Sequence, residues 1–255
     1  MAIIKNEIPL LEYDTDINAV VLPYHEHPEI KLPKKAVFPF IRDKADEYAK
    51  NHNGELVYEV KSATKLYPLW IIEYKGERVC LCQAPVGAAP AAQLLDYLYG
   101  HGVETVISGG SCGALEPIPE NTFLVPVKAL RDEGTSYHYQ PPSRFMEVDK
   151  RATEAIKATL AENGFNAQEC TTWTTDGFFR ETKEKVAYRK SEGCSVVDME
   201  CSALAACAKL RGKTWGILFY TADSLANVDE YDDRDWGHDS QDACLHLCLE
   251  AVHKL

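Results

Sequence analysis

The regular alternation of short apolar runs with helical patterns constrains this chain more than any other feature of its sequence. Parallel strands need a crossover between them, and a crossover helix buries its apolar stripe on the sheet it spans. Strands separated by helices therefore imply a mainly parallel sheet covered on both faces. With 255 residues, 45% of them apolar, there is enough material for the sizeable core such a sheet requires.

Along the chain, INAVVLP from Ile17 reads as a buried strand, residues 42–51 as a short helix, and NHNG as its stop. ELVYEVK, PLWIIEY and RVCLCQA are strand-like, the last two joined at Lys75-Gly76. Residues 88–101 form a small-residue helix closed by Gly100 and Gly102, and VETVIS is a buried strand followed by a turn, GGSCGAL. NTFLVPV is a strand. Residues 149–163 are an amphipathic helix with Ala152, Ile156 and Leu160 on one stripe and Gly164 as stop. Residues 167–173 and 181–190 read as strand and helix. CSVVDME leads into a helix over 201–210 stopped by Gly212, WGILFY is a strand, and 241–253 is the closing helix. The acidic stretch NVDEYDDRDWGHD (227–239) fits either a lid over a site or a solvated loop.

A formal net charge of −12 argues against binding to nucleic acid or to anionic membranes, since neither polyanion is attracted to an acidic surface. The nine cysteines are odd in number and lack paired C-x-x-C or Cys/His sets, so buried reduced thiols are expected rather than disulfides or zinc. No metal or organic cofactor is indicated. The start MAIIKNEIPLLEYD lacks the basic and apolar regions of a signal peptide, and no run approaches the length of a membrane span. A cytoplasmic protein is the expectation.

Ligands of open α/β sheets bind outside the carboxyl ends of strands. Three such ends carry polar residues: the turn after VETVIS, the acids after CSVV, and Thr-Ala-Asp after WGILFY. Their convergence on one crevice would make a small-molecule site.

Four segments then point to a family. VVDMECSALA (196–205) resembles V-x-M-E-A-A-A-L, and RDEGTSYHY (131–139) resembles R-x-D-G-x-S-x-H-F. GSCGAL (110–115) resembles G-T-x-G-A-L/I, and TTDGFF (174–179) resembles S-x-D-x-F-Y. In this order and spacing they resemble the nucleoside phosphorylase family, which holds uridine phosphorylases, purine nucleoside phosphorylases and nucleosidases. The resemblance implies a three-layer α/β/α fold with a mixed, twisted central sheet in a single domain over residues 1–255. It also implies a homo-oligomer, dimer or hexamer, whose sites a neighbouring subunit completes.

Cleavage of a nucleoside C–N bond passes through an oxocarbenium-like sugar, so an enzyme must grip the ribose and relieve charge on the departing base. The resemblance assigns the ribose to Met199 and Glu200. As residues alone, Glu200 also fits a helix N-terminal acid favoured by the dipole. Asp223 matches the aspartate with which purine-specific members serve the leaving base, and it equally fits an N-cap for a short helix. Phe178 matches the aromatic that stacks on the base, or is a core phenylalanine. Asp176 fits a brace for the same loop, and His138 is either functional or structural. Thr182 and Glu184 stand where uridine-specific members carry a Gln and an Arg, which turns the expectation from pyrimidine to purine nucleosides.

The phosphate site departs from the family. The G-D-P-x-R loop aligns with PYHEHP (23–28), with Pro28 in place of the arginine, and Ser108 stands for a second arginine. Lys65 takes the place of a third, contributed by the neighbour. Ser111 keeps the hydroxyl that touches phosphate, and the backbone of Gly109 and Gly110 offers an anion nest. Two readings follow. Phosphate binds through Ser111, Lys65, backbone N–H groups and His25 or His27; or water attacks instead, with Glu26 as its base. Glu26 and the two histidines also fit a solvated loop. Phosphorolysis of a purine nucleoside, with inorganic phosphate as co-substrate, is the first expectation. Hydrolysis on the same fold is the second, and a non-catalytic nucleoside-binding protein the third.

Overall fold

The computed structural model describes residues 3–25, 27 and 29–255. Ten strands form one mixed sheet: β1 (Lys35–Val37), β2 (Glu55–Lys61), β3 (Leu66–Tyr74), β4 (Glu77–Leu81), β5 (Thr105–Ala114), β6 (Phe123–Asp132), β7 (Phe145–Glu147), β8 (Gln168–Thr175), β9 (Val196–Asp198) and β10 (Thr214–Ser224). Among the described residues seven α-helices accompany them: α1 (Lys44–Asn51), α2 (Ala88–Gly100), α3 (Ser136–Tyr139), α4 (Lys150–Glu162), α5 (Lys183–Ser191), α6 (Cys201–Arg211) and α7 (Gln241–His253). One face of the sheet is covered by α2 and α6, through Leu95, Leu98 and Leu204. The other is covered by α1, α4 and α7, through Ala45, Ile156 and Leu249. This is the three-layer arrangement with a mixed sheet that the sequence led us to expect.

The sheet closes on itself at one end. The ten-residue β5 pairs along its length with β10, and its other side pairs first with β1 and then with β9. From β10 the ladder continues through β6 and β8 back to β9. The five strands β5, β10, β6, β8 and β9 thus make a closed ring, while β1, β4, β3 and β2 extend from it as an open wing. Strand β10 is buried at every position, because α4 and α6 pack on it inside the ring's two neighbours.

Two expectations are overturned. INAVVLP is not a buried strand: it has no regular structure, and Ile17, Val20 and Val21 are 56%, 97% and 79% exposed. The place beside β5 goes to Lys35–Val37, inserted between β4 and β5, which leaves the earlier run no ladder to join. Arg211 instead holds this run by donating to the Ile17 carbonyl at 3.1 Å. Likewise GGSCGAL is not a turn. Strand β5 runs straight through Gly109 to Ala114, in register with Leu218 through Ser224. Its glycines serve close packing: a Cβ on Gly109 would lie 2.5 and 2.6 Å from the sulfurs of Cys244 and Cys248 on α7.

All nine cysteines are buried and free. Among the described residues no helix is long and apolar enough to cross a membrane, and no group of three or more His, Cys, Asp or Glu could hold a metal ion.

Candidate active site

The three polar strand ends do meet. A pocket at the closed end of the sheet is lined by Gly110, Ser111, Cys112 and Gly113 of β5, by Asp198, Met199 and Glu200 at the β9–α6 junction, and by Asp223 of β10. Phe178 and Glu181 close one side; Phe40, Val86 and Trp236 close another.

At the β9–α6 junction two acids separated by one residue do different work. Asp198 is buried and accepts four hydrogen bonds. Thr172 and Thr174 hydroxyls reach Oδ1 at 2.8 and 2.7 Å, and the Glu200 and Cys201 N–H groups reach Oδ2 at 2.7 and 2.6 Å. Burial raises its pKa while those four donors pull it back. Asp198 therefore caps α6, and Glu200, although it occupies the cap position, makes no side-chain cap bond. The dipole-stabilised helix acid anticipated for Glu200 is in fact Asp198.

Glu200 is free to face the pocket. Its Oε1 accepts the Gly87 N–H at 2.5 Å, and the Met199 backbone also bonds its carboxyl. Gly87 has φ of 102°, a left-handed conformation that glycine tolerates, and it stands at the N-terminus of α2. Burial first, and then the Asp198 charge, push the Glu200 carboxyl up to about 8. A buried acid with only backbone donors has room for further hydrogen bonds from a ligand, whose donors would favour its ionised form.

Asp223 owes its direction to a β-bulge. Between Thr221 and Ser224 the register with β5 slips, so that Ala222 and Asp223 oppose Gly113 alone. Such an extra residue bends the strand and re-aims its side chain. Gly113 makes room: a Cβ there would lie 3.2 Å from Asp223 Oδ1 and 2.9 Å from Val197 Cγ1. Asp223 is 5% exposed, burial raises its pKa, and the Tyr231 hydroxyl donates to its Oδ2 at 3.2 Å. It lies within β10 and no helix begins after it, so the N-cap alternative falls. Phe178, 38% exposed, is a pocket wall and not a core residue.

The remaining motif residues hold the frame. Arg131 donates to Ser136 Oγ, Pro141 O, Ser143 Oγ and Gln140 O, which folds RDEGTSYHY back on itself. Glu133 accepts from the Ser202 hydroxyl of α6 at 2.8 Å, and Asp176 accepts from Gly134 N–H at 2.8 Å. Asp176 thus ties two motifs together, as its bracing role requires, and His138 is exposed on α3 outside the pocket lining.

The anticipated phosphate ligands fare unequally. Ser111 and Gly110 line the pocket; Gly109 does not, being turned against α7. The expected nest fails because Gly109 and Gly110 are extended strand, whereas a nest needs alternating turn conformations. Ser108 is buried and accepts from Trp215 Nε1 at 3.0 Å. Within its own chain Lys65 donates to Gln83 Oε1 at 2.9 Å and lies outside the lining. His27 pairs with Glu29 at 3.1 Å and packs on Tyr58, and His25 accepts from Leu22 N–H; neither reaches the lining. Glu26 and Pro28 lie outside the described residues.

Four residues were missed. Arg42 ends the segment Phe38-Pro39-Phe40-Ile41-Arg42, which leaves β1 and runs beside β5: Phe38 N–H donates to Ile107 O at 3.0 Å, and Phe40 N–H to Gly109 O at 2.7 Å. An arginine at the fifth position of this loop is the pattern sought in vain at 23–28, before the true first strand. Arg42 has a φ of 52°, is exposed, and its charge acts on Tyr220, the register partner of Ser111. Glu181 and Phe40 carry no motif that would have flagged them. Trp236 lay inside the acidic loop. That loop is pinned: Arg234 donates to Ala222 O and Ile118 O, and Glu120 accepts from the Asp235 and Gly237 N–H groups. It covers the pocket with Trp236 and supplies Tyr231 to Asp223.

The family model of the phosphorylase superfamily matches residues 39–255. The chain belongs to the phosphorylase superfamily. The guanosine phosphorylase of Halorubrum lacusprofundi is 25% identical over 161 residues, 63% of this chain and 67% of its own length. In fold, the chain is similar to a uridine phosphorylase from Vibrio fischeri, with a TM-score of 0.77 and 22% identity over 90% of this chain and 97% of the other. It is also similar to an AMP nucleosidase from Bacteroides thetaiotaomicron, with a TM-score of 0.72 and 21% identity over 88% of each chain. These relatives place it among nucleoside phosphorylases and nucleosidases. The matched region begins at residue 39, after the segment 23–28 to which the phosphate loop had been assigned and at the loop that ends in Arg42.

Proposed function

We propose that this protein cleaves the N-glycosidic bond of a purine nucleoside by phosphorolysis, giving free base and ribose 1-phosphate. The observation that carries the reading is the convergence of Glu200 and Asp223, two buried acids on different strand ends, on one pocket with the aromatic Phe178 at its side. Glu200 accepts from the ribose hydroxyls and its charge favours the cationic sugar. Met199 packs on the sugar, and Phe178 on the face of the base. As the C1′–N9 bond breaks, its electron pair passes to the base and Asp223 gives a proton to N7. A phosphate oxygen forms the new bond to C1′. Asp223 supports a purine, since a uracil would ask for donors to its carbonyls, and among the described residues no Asn, Gln, Lys, Arg or His lines the pocket.

Phosphate is assigned to Ser111, Gly110 and Arg42, with Lys65 of a neighbouring copy completing the site in a homo-oligomer; arginine suits this role by its permanent charge and forked donors. One observation favours a second reading: among the described residues the pocket lining is formed without a Lys, Arg or His, which suits attack by water. The test is release of free base from purine and pyrimidine nucleosides with and without inorganic phosphate. Release from purines that requires phosphate is expected. Equal release without phosphate would establish hydrolysis, and binding without release would establish a non-catalytic protein.

A further inference from the structure

Glu181 has no counterpart among the residues assigned above. It follows the short turn Phe178–Arg180 and precedes the cap of α5, half-buried in the pocket wall between Phe178 and Asp223. No hydrogen bond to its carboxyl is found among the described residues, although Lys185, Asp223 and Tyr231 face it from α5, β10 and the loop after β10. A half-buried carboxyl without a donor, beside a second carboxyl, is costly unless a ligand supplies what is lacking.

We propose that Glu181 accepts a hydrogen bond from the exocyclic amino group at C6 of the purine, making this pocket selective for 6-aminopurine over 6-oxopurine nucleosides. The inference rests on the purine reading above. A 6-aminopurine presents an acceptor at N7 beside a donor at its amino group. Two neighbouring carboxyls that hold one proton match that edge: Asp223 carries the proton toward N7 and Glu181, ionised, accepts from the amino group. Two carboxyls in electrostatic contact favour the singly protonated pair over the doubly ionised one. A 6-oxopurine presents two acceptors on the same edge, so Glu181 must then carry a second proton.

Burial first, and then the Asp223 charge, push the Glu181 carboxyl up to about 7, with Lys185 opposing. Since the ionised Asp223 is among the causes, this is uptake of the one proton the pair shares, and a second proton binds only at lower pH. Between pH 6 and 9 the 6-amino base therefore keeps its partner and the 6-oxo base lacks one.

The experiment measures kcat/KM for adenosine, inosine and guanosine between pH 6 and 9, with the parent and with Glu181→Gln. The parent is expected to favour adenosine over inosine by roughly 10- to 100-fold throughout that range, the worth of one hydrogen bond to a charged group. Glutamine presents both an oxygen and an N–H group, so the variant should lose the preference. A parent that prefers inosine above pH 8, a preference for guanosine over inosine without one for adenosine, or an unchanged ratio in the variant would each overturn the proposal. If no nucleoside is cleaved, the catalytic reading fails on its own. Calorimetric affinities for adenine and hypoxanthine at pH 6 and 8.5 then decide the role of Glu181 by the same ratio.

Discussion

At the β9–α6 junction the pocket wall is made of carboxyls, whereas along β5 it is made of backbone. Asp198 and Glu200 bring negative charge into a buried place, and the fold answers one of them with four donors and the other with two backbone groups. Gly110 and Gly113 bring no side chain at all, and their value is the space they leave for Phe40, Val197 and Asp223. Both regions matched family motifs, the one at 196–205 more strongly than the one at 110–115. The difference teaches that a buried acid is marked as structural or reactive by how many of its hydrogen bonds the protein itself satisfies, and that a glycine is marked by what stands against it.

The sharpest way to break the comparison is Glu200→Gln. If Glu200 is the unsatisfied, ligand-facing acid, turnover should fall by about 1000-fold, the scale at which single electrostatic contacts to a transition state act. Its effect on stability should have the opposite sign. The folded-state carboxyl titrates near 8, above the ~4.3 of an unfolded glutamate. The folded state therefore holds the proton more tightly, so no penalty exists below about pH 4. The penalty grows as pH rises toward 8 and is complete beyond it. Melting curves should show the variant more stable than its parent at pH 8.5 and equal to it at pH 4; a less stable variant at pH 8.5 would return Glu200 to a structural role.

Asp198→Ala should do the reverse. It strands two threonine hydroxyls and two N–H groups at the head of α6, costing about 3 kcal/mol, with each buried unsatisfied group worth roughly 1–3 kcal/mol. Urea denaturation measures this, and an unchanged midpoint would contradict the capping role.

Asp223→Asn should lower kcat on a purine nucleoside by about 100-fold, the lower range for general acid catalysis, while leaving the melting temperature nearly constant. Steady-state kinetics with a purine and a pyrimidine nucleoside sharpen this, because a pyrimidine substrate offers no N7 to protonate.

The smallest effect concerns β5. Gly109→Ala pushes a methyl into Cys244 and Cys248 and should cost about 1–3 kcal/mol of stability, the usual penalty of overpacking. Its KM for the nucleoside should stay unchanged, since Gly109 is turned away from the pocket. A raised KM without loss of stability would place Gly109 in the site after all.

Much of the fold was legible from local pattern. The helices α2, α4, α6 and α7 follow from apolar stripes and glycine stops, and β2, β3 and β4 from alternation bounded by turn residues. INAVVLP was misread because an apolar run becomes a strand only where a ladder edge is open to it, and β1 occupies that edge. GGSCGAL was misread because glycines mark close approach as well as turns. The β1 loop and Arg42 were missed for a linked reason: with the first strand assigned too early, the arginine was sought before the sheet began.

The site divides along the same line. By itself the sequence determined the α/β alternation, the reduced buried cysteines, and the family motifs that contain Met199, Glu200, Ser111 and Phe178, since these depend on neighbours within a few positions. Only the tertiary structure decided which acid at 198–200 is satisfied, since the two threonine donors come from β8. It also decided that Asp223 is aimed by a bulge against Gly113, that Glu181 stands in the same pocket, and that Trp236 covers it. Each of these depends on strand register and ring closure between segments tens of residues apart, and no local window of sequence specifies which segments those will be.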